Sequence, residues 1–501
     1  MRIRARHFRV LSQSVFLIAF LGMFFSLSLS RVPGALASGF LALNPLPALS
    51  TALADWSIPR WTWVGLGVLM LTAVLGRVFC GWVCPLGTLQ QLISWISGPD
   101  RRKRAKINRY RKLFALKYIV LATLLTLAVL GSNHTGWLDP LSLLHRGVAA
   151  GLRPLWLGTL VPGGWIAFGL LATVLLLSAW MPRFYCRVLC PLGALLGLFA
   201  RLAPLRIRRA GDSCSGCTLC VIPCQGADEP LADHRVSECH VCLNCLGVCT
   251  EGSLSYRTAA PPEEEAPAPS FDVGRRRFLL TVAASAAVAP VMRVAGSGFE
   301  ASGHDAIRPP GALDERAFLS RCITCSACSA SCPTGVIVSD LGTTGLNGLF
   351  TPVLDMRRGW CEPSCIRCGE VCPTSALRLL EPDAKQAIGG PAEVTVGTAF
   401  MDRGRCLPWA MNIPCIVCEE MCPTSPKAIV LEIVETTGPD GRSTRLQQPL
   451  VIPELCTGCG LCENRCPVGG RAAIRVSSVG ETRDPMNQML QRESGIAEAT
   501  R

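Results

Sequence analysis

Cysteine spacing limits what this chain can fold into more tightly than any other feature. Of its 28 cysteines, 24 fall into six runs of four. The first two runs are Cys214, Cys217, Cys220, Cys224 and Cys239, Cys242, Cys245, Cys249. The next two are Cys322, Cys325, Cys328, Cys332 and Cys361, Cys365, Cys368, Cys372. The last two are Cys406, Cys415, Cys418, Cys422 and Cys456, Cys459, Cys462, Cys466. Three thiolates two residues apart let one tight loop wrap a corner of a cubane, and the fourth, three residues on, turns away to a neighbouring cluster. Six runs therefore imply six 4Fe–4S clusters. A disulfide framework needs no fixed spacing, and zinc knuckles pair two Cys-x2-Cys units across a longer gap.

At 501 residues the chain is long enough for several domains. Half of it is apolar and 17% charged, and the apolar excess sits in the first two hundred residues. Four stretches there read as membrane spans of about 20 residues: 10–29, 61–79, 114–131 and 165–181. Four arginines precede the first, and eight Lys/Arg lie within Arg101–Lys112. More arginines follow the fourth, so these loops are expected on the cytoplasmic side. The net charge of +13 is thus a topology signal. No basic face interleaved with aromatics suggests nucleic acid.

The other four cysteines belong to an internal repeat. Arg77-Val-Phe-Cys80-x3-Cys84-Pro-Leu-Gly87 is matched by Arg183-Phe-Tyr-Cys186-x3-Cys190-Pro-Leu-Gly193. The loop sequences Leu43-Asn-Pro-Leu46 and Leu138-Asp-Pro-Leu141 also correspond. A duplicated helical hairpin pairing about a pseudo-two-fold axis would bring both cysteine pairs together. Cysteines four apart share one helix face. Four converging thiols would hold a further metal centre or form a redox-active dithiol, and the sequence leaves both open.

After the second run comes a Pro/Glu/Ala-rich linker, then Gly274-Arg-Arg-Arg-Phe-Leu-Leu280 and a weakly apolar stretch. That pattern resembles a twin-arginine export signal, a route suited to a domain whose cofactors are inserted before it crosses the membrane. The expected organisation is a membrane domain at 1–205, a cytoplasmic two-cluster module at 206–257 and a linker with the signal at 258–300. A periplasmic four-cluster domain at 301–480 and a flexible tail at 481–501 complete it. The fold class is multi-domain: an all-α four-span membrane domain plus small α+β ferredoxin modules of the two-cluster 4Fe–4S type.

Residues 1–255 resemble the NapH-type membrane polyferredoxins, whose plan the NosR regulators share. Residues 270–480 resemble the NapG/MauM-type periplasmic ferredoxins, notably in the widened spacing Cys406-x8-Cys415 and in Leu455-Cys-Thr-Gly-Cys-Gly460. The second outer run, Cys361-x3-Cys365-x2-Cys368, departs from the NapG pattern. The resemblance implies a protein of the bacterial inner membrane. It would take electrons from the quinone pool and hand them to a periplasmic cytochrome or reductase. A NosR-like maturation or regulatory role, or a wire fed by a cytoplasmic donor, are the alternatives. No Cys-x2-Cys-His attaches a haem.

Ligand pairing follows from fourth-cysteine exchange. Cys214, Cys217 and Cys220 take Cys249, while Cys239, Cys242 and Cys245 take Cys224. For the outer runs, similarity to four-cluster subunits implies nesting. Cys466 would then serve Cys322, Cys325 and Cys328, with Cys332 serving Cys456, Cys459 and Cys462. Cys422 would serve Cys361, Cys365 and Cys368, with Cys372 serving Cys406, Cys415 and Cys418. Quinol oxidation needs proton acceptors at the membrane boundary, and His134, Asp139 and His145 are the candidates there.

Overall fold

In the computed structural model the described residues are 2–28, 38–58, 62–98, 101–157, 164–209, 214–229, 234–258, 306–342, 344–437 and 443–488, with a few isolated positions between. The twin-arginine-like segment at 274–277 and most of the linker and tail lie outside them. The chain forms two units. The first holds residues 1–293 together with Ser320–Ser326, and the second holds 294–319 and 327–501.

The first unit is a bundle built from α1 (Arg2–Ser28), α2 (Pro45–Asp55), α3 (Thr62–Leu75), α4 (Pro85–Ile96), α5 (Leu116–Val129), α6 (Pro140–Leu157), α7 (Gly164–Trp180) and α8 (Pro191–Phe199). Proline opens α2, α4, α6 and α8, because the first helical position needs no N–H and suits its fixed φ. Asn44 caps α2 by accepting from the Leu46 amide at 3.0 Å. Asp139, its counterpart in the repeat, accepts from the Ser142 amide at 2.8 Å to cap α6.

Among the described residues two helices, not four, are long and apolar enough to cross a bilayer unaided: Arg6–Leu27 and Lys112–Val129. The expected second span stops after 14 residues, because Gly76 adopts φ +77 and ends the helix ahead of the first cysteine pair. The expected fourth, α7, has 17 residues and ends before Pro182. Both shorter helices nevertheless expose large apolar side chains, Trp63, Met70 and Leu71 on α3 and Trp165, Phe168 and Leu176 on α7.

A small module closes the first unit. Strand β1 (Leu205–Arg209) pairs antiparallel with β2 (Leu254–Thr258), with Ile207 opposite Tyr256. Between them Cys220, Cys239 and Cys245 pack with Ile207, Val221, Val241 and Leu254 as one core, with Cys249 against it.

The second unit has little regular structure. Its described residues form three antiparallel pairs: β3 (Ile337–Ser339) with β4 (Pro352–Leu354), β5 (Thr398–Met401) with β8 (Ile474–Ser477), and the long hairpin β6 (Ile429–Thr437) with β7 (Ser443–Val451). Its core mixes Ala399, Ile429 and Ile474 with the cysteines Cys418 and Cys462. Side chains that would ligate clusters occupy the places where a larger domain puts aliphatics.

Candidate iron–sulfur centres

The cysteine loops share a backbone device. In four runs both residues flanking the second cysteine are left-handed: Gly216 and Thr218, Val241 and Leu243, Thr324 and Ser326, Gly458 and Gly460. Left-handed residues on either side of one cysteine turn successive amides toward a common centre, an anion-holding nest. Val241 is β-branched, so its φ of +47 is a strained placement. Gly458 is different, since a Cβ there would lie 2.5 Å from the Gly397 carbonyl oxygen. The runs starting at Cys361 and Cys406, whose first spacings are wider, lack this paired signature.

Fourth cysteines are exchanged between runs. In the inner module Cys220 shares its electrostatic surroundings with Cys214, Cys217 and Cys249. Cys245 shares its own with Cys242 and Cys224, and Cys239 with Cys242 and Cys245. Burial pushes the Cys220 thiol up to about 11 and the Cys224 thiol up to about 12. As bare thiols they would be protonated at neutral pH; bound metal would hold them as thiolates.

The nested pairing expected for the outer runs is wrong. One cradle of about 340 Å³ is lined by Cys361, Cys365, Cys368 and Cys332. A second, of about 320 Å³, gathers Cys456, Cys459, Cys462 and Cys422, and a third of the same size gathers Cys406, Cys415, Cys418 and Cys466. Exchange therefore runs between consecutive runs, third with fourth and first with second, and Cys372 is the fourth-position cysteine left over. The reason is local. Pairing of β5 with β8 fixes the third run beside the fourth, and Thr334 donates to the Trp360 carbonyl at 2.5 Å, joining the first run to the second. The cradles adjoin: the Cys361 amide donates to the Cys459 carbonyl at 2.8 Å, and Cys462 lies within electrostatic range of Cys418.

These residues fit multi-iron clusters. All 28 cysteines are free of disulfides. Among the described residues no three His, Cys, Asp or Glu side chains converge tightly enough for a single metal ion. Four thiols held apart around an apolar cradle suit a cubane, which spreads its ligands over four corners.

The repeat cysteines meet as well, though not as expected. Neither pair lies on one helix face. Cys80 sits in a π-turn (Phe79–Val83) and Cys84 is extended, with ψ 115°, ahead of α4. Cys186 lies in a short helix (Phe184–Val188), and Cys190, with ψ 108°, precedes α8. Pro85 and Pro191 force this, since the residue before proline is driven out of the helical region. All four thiols are buried, and Cys190 lies within electrostatic range of the other three.

The candidate quinol residues are buried rather than interfacial. His145 is packed edge-on to Phe20 and Phe24, and its Nδ1 is 2.8 Å from the Cys325 carbonyl oxygen. Arg146 donates to the Thr324 hydroxyl at 2.9 Å. Asp139 is a helix cap held by Asn44, and the His134 ring lies tilted against Trp137, with centroids 4.6 Å apart. Sequence reasoning missed Lys117, Arg77, Arg183 and Arg187, all fully buried. The fixed Arg-x2-Cys spacing in both repeats was the signal for two of them.

The cysteine cradles, their nests and the exchanged fourth ligands define an iron–sulfur electron carrier. The 4Fe-4S binding domain family matches in two forms, one at residues 59–104 and 163–209 and the other at 449–470. The methylamine utilization ferredoxin-type protein MauM of Methylorubrum extorquens is 37% identical over 34% of this chain and 72% of its own length. The ferredoxin-type protein NapG of Escherichia coli is 35% identical over 40% of this chain and 85% of its own. The putative electron transport protein YccM of Escherichia coli is 28% identical over 46% of this chain and 65% of its own. No solved structure matches. The chain belongs to the ferredoxin-type 4Fe–4S proteins related to MauM and NapG, and is an iron–sulfur electron-transport protein.

Proposed function

We propose that this protein is membrane-bound and carries electrons from the quinol pool, through its 4Fe–4S clusters, to a periplasmic redox partner. It does so as a NapH-like membrane part fused to a NapG/MauM-like ferredoxin part. The observation that carries this reading is the disposition of cluster segments about α5 within the first unit. At the start of that helix Lys117 is paired with Glu238 of the inner module, and the Tyr118 hydroxyl donates to the same carboxylate at 3.1 Å. Beyond its far end Asn133 donates to the Ser320 carbonyl at 2.9 Å. There a Cβ on Gly136 would collide with the Ile323 carbonyl oxygen. The inner runs and the segment holding Cys322 and Cys325 thus lie at opposite ends of an apolar helix of 14 residues, about 21 Å long.

Basic residues cluster at the inner-module end, which is the cytoplasmic end by charge. The exposed apolar side chains of α3 and α7 supply a surface for lipid. His145, hydrogen-bonded to the carbonyl of a cluster cysteine, is the group best placed to take a proton as an electron leaves quinol. Substituting His134 and His145 together should slow quinol-dependent cluster reduction while leaving reduction by a soluble chemical reductant intact. Unchanged quinol kinetics would remove the site from these residues.

A further inference from the structure

We infer that Cys80, Cys84, Cys186 and Cys190 jointly hold one further iron–sulfur cluster, for which Arg77 and Arg183, crossing between the two repeats, are the counter-charges. Each segment matched by the family contains only two of these cysteines, so neither half can complete four ligands alone.

Three of the four sulfurs have their own donor. The Gly193 amide points to Cys190 Sγ at 3.2 Å, and the Gln90 amide nitrogen to Cys186 Sγ at 3.5 Å. Arg77 Nη2 lies 3.9 Å from Cys80 Sγ. Donors onto three sulfurs, drawn from both repeats, favour thiolates and tune a cluster's potential; a neutral dithiol needs none of them.

The arginines cross reciprocally. Arg77, three residues before Cys80, reaches the other repeat's helix start, where a Cβ on Gly193 would lie 2.8 Å from its Nη2. Arg183, three residues before Cys186, reaches the first repeat's helix start, where a Cβ on Gly87 would lie 3.5 Å from its Nη1. It also donates to the Cys80 carbonyl at 2.8 Å. At Gly193 the absence of a Cβ is what lets the Arg77 guanidinium approach, while at Gly87 the Arg183 guanidinium lies at ordinary contact distance.

Charge completes the case. Arg77, Lys117, Arg183 and Arg187 are all at most 1% exposed. Glu238 is the carboxylate that faces this group, bonded to Lys117 and 4.0 Å from Arg77. Uncompensated buried charge is costly. A cubane with a 2+ core and four thiolates carries two negative charges, which would match Arg77 and Arg183. The neighbouring inner cluster would answer Arg187, whose Nη2 donates to the Cys224 carbonyl at 3.0 Å.

The test uses the full chain in detergent, reduced chemically so that no quinol is involved. Iron per chain, with Mössbauer and EPR spectra, is compared between the wild type and the Cys84→Ser/Cys190→Ser variant. Wild type should hold about 28 irons, seven clusters of four. The variant should lose about four of them and one spectral component. A second variant, Arg77→Gln/Arg183→Gln, should lower the midpoint potential of that component alone, because removing positive charge disfavours the added electron. Arg77→Lys/Arg183→Lys should restore part of it. About 24 irons in the wild type, unchanged by the serine variant, would overturn the inference. So would reversible two-electron titration of the four cysteines as a thiol–disulfide couple.

Discussion

At the scale of single residues, contacts between backbones leave room for no side chain. A Cβ on Gly81 would sit 2.3 Å from the His240 carbonyl oxygen, at the seam between the bundle and the inner module, where Trp82 Nε1 also donates to the Val241 carbonyl at 2.9 Å. Gly81→Ala should therefore loosen the inner module. Faster proteolysis between residues 206 and 257 would show it; wild-type resistance would mean the seam is softer than this packing implies. Lys117 and Glu238 make the opposite kind of contact, a buried ion pair. Lys117→Met leaves the carboxylate buried with less compensation, which costs about 3–5 kcal/mol. Thermal unfolding followed through the cluster absorbance should register that loss, and Lys117→Met/Glu238→Gln should recover part of it.

At the scale of elements, the modules owe their cores to their ligands. Because Cys418 and Cys462 occupy core positions beside Ile429 and Ile474, chelating the iron should unfold the cysteine-rich modules and leave the bundle helical by circular dichroism. Apo-protein that keeps protease-resistant modules would contradict this. Consecutive exchange is equally testable. Cys332→Ser should perturb the same EPR component as Cys361→Ser, and a match to Cys456→Ser would restore the nested arrangement. A further check concerns Glu315, which bonds Arg308 and Arg483. Burial raises its pKa, but the two guanidinium groups outweigh that and hold it below the usual carboxylate range. A depressed pKa contributes stability above the unfolded value, about 4.3, and that stability is lost as pH falls through the folded one. Glu315→Gln should thus destabilise the second unit at neutral pH, and the difference from wild type should close in acid.

These elements also mark what the sequence could disclose. Cysteine spacing announced the clusters and the exchange inside the inner module, because ligand geometry is written in intervals of two and three residues. It did not announce which outer runs exchange, since that depends on β5 meeting β8 and on one Thr334 hydrogen bond. Hydropathy marked four apolar stretches but not where Gly76 curtails the second of them. Proline after Cys84 and Cys190 was visible, yet its consequence, breaking each pair across two helices, was read past in favour of simple helical spacing. The buried arginines carried a repeat signature without any indication of what they reach.

At the scale of the whole molecule, the proposed function requires electrons to enter from quinol. The rival readings are a cytoplasmic donor feeding the Cys214–Cys249 runs and a NosR-like role in maturing a metal centre elsewhere. The most direct test adds a reduced quinol to anaerobic membranes containing the protein and follows the clusters by visible absorbance and EPR. The account predicts that quinol alone reduces clusters, and that the His134/His145 variant slows this step. Clusters that stay oxidised with quinol but are reduced by a cytoplasmic ferredoxin-type donor would contradict it and make the chain a wire running outward from the cytoplasm.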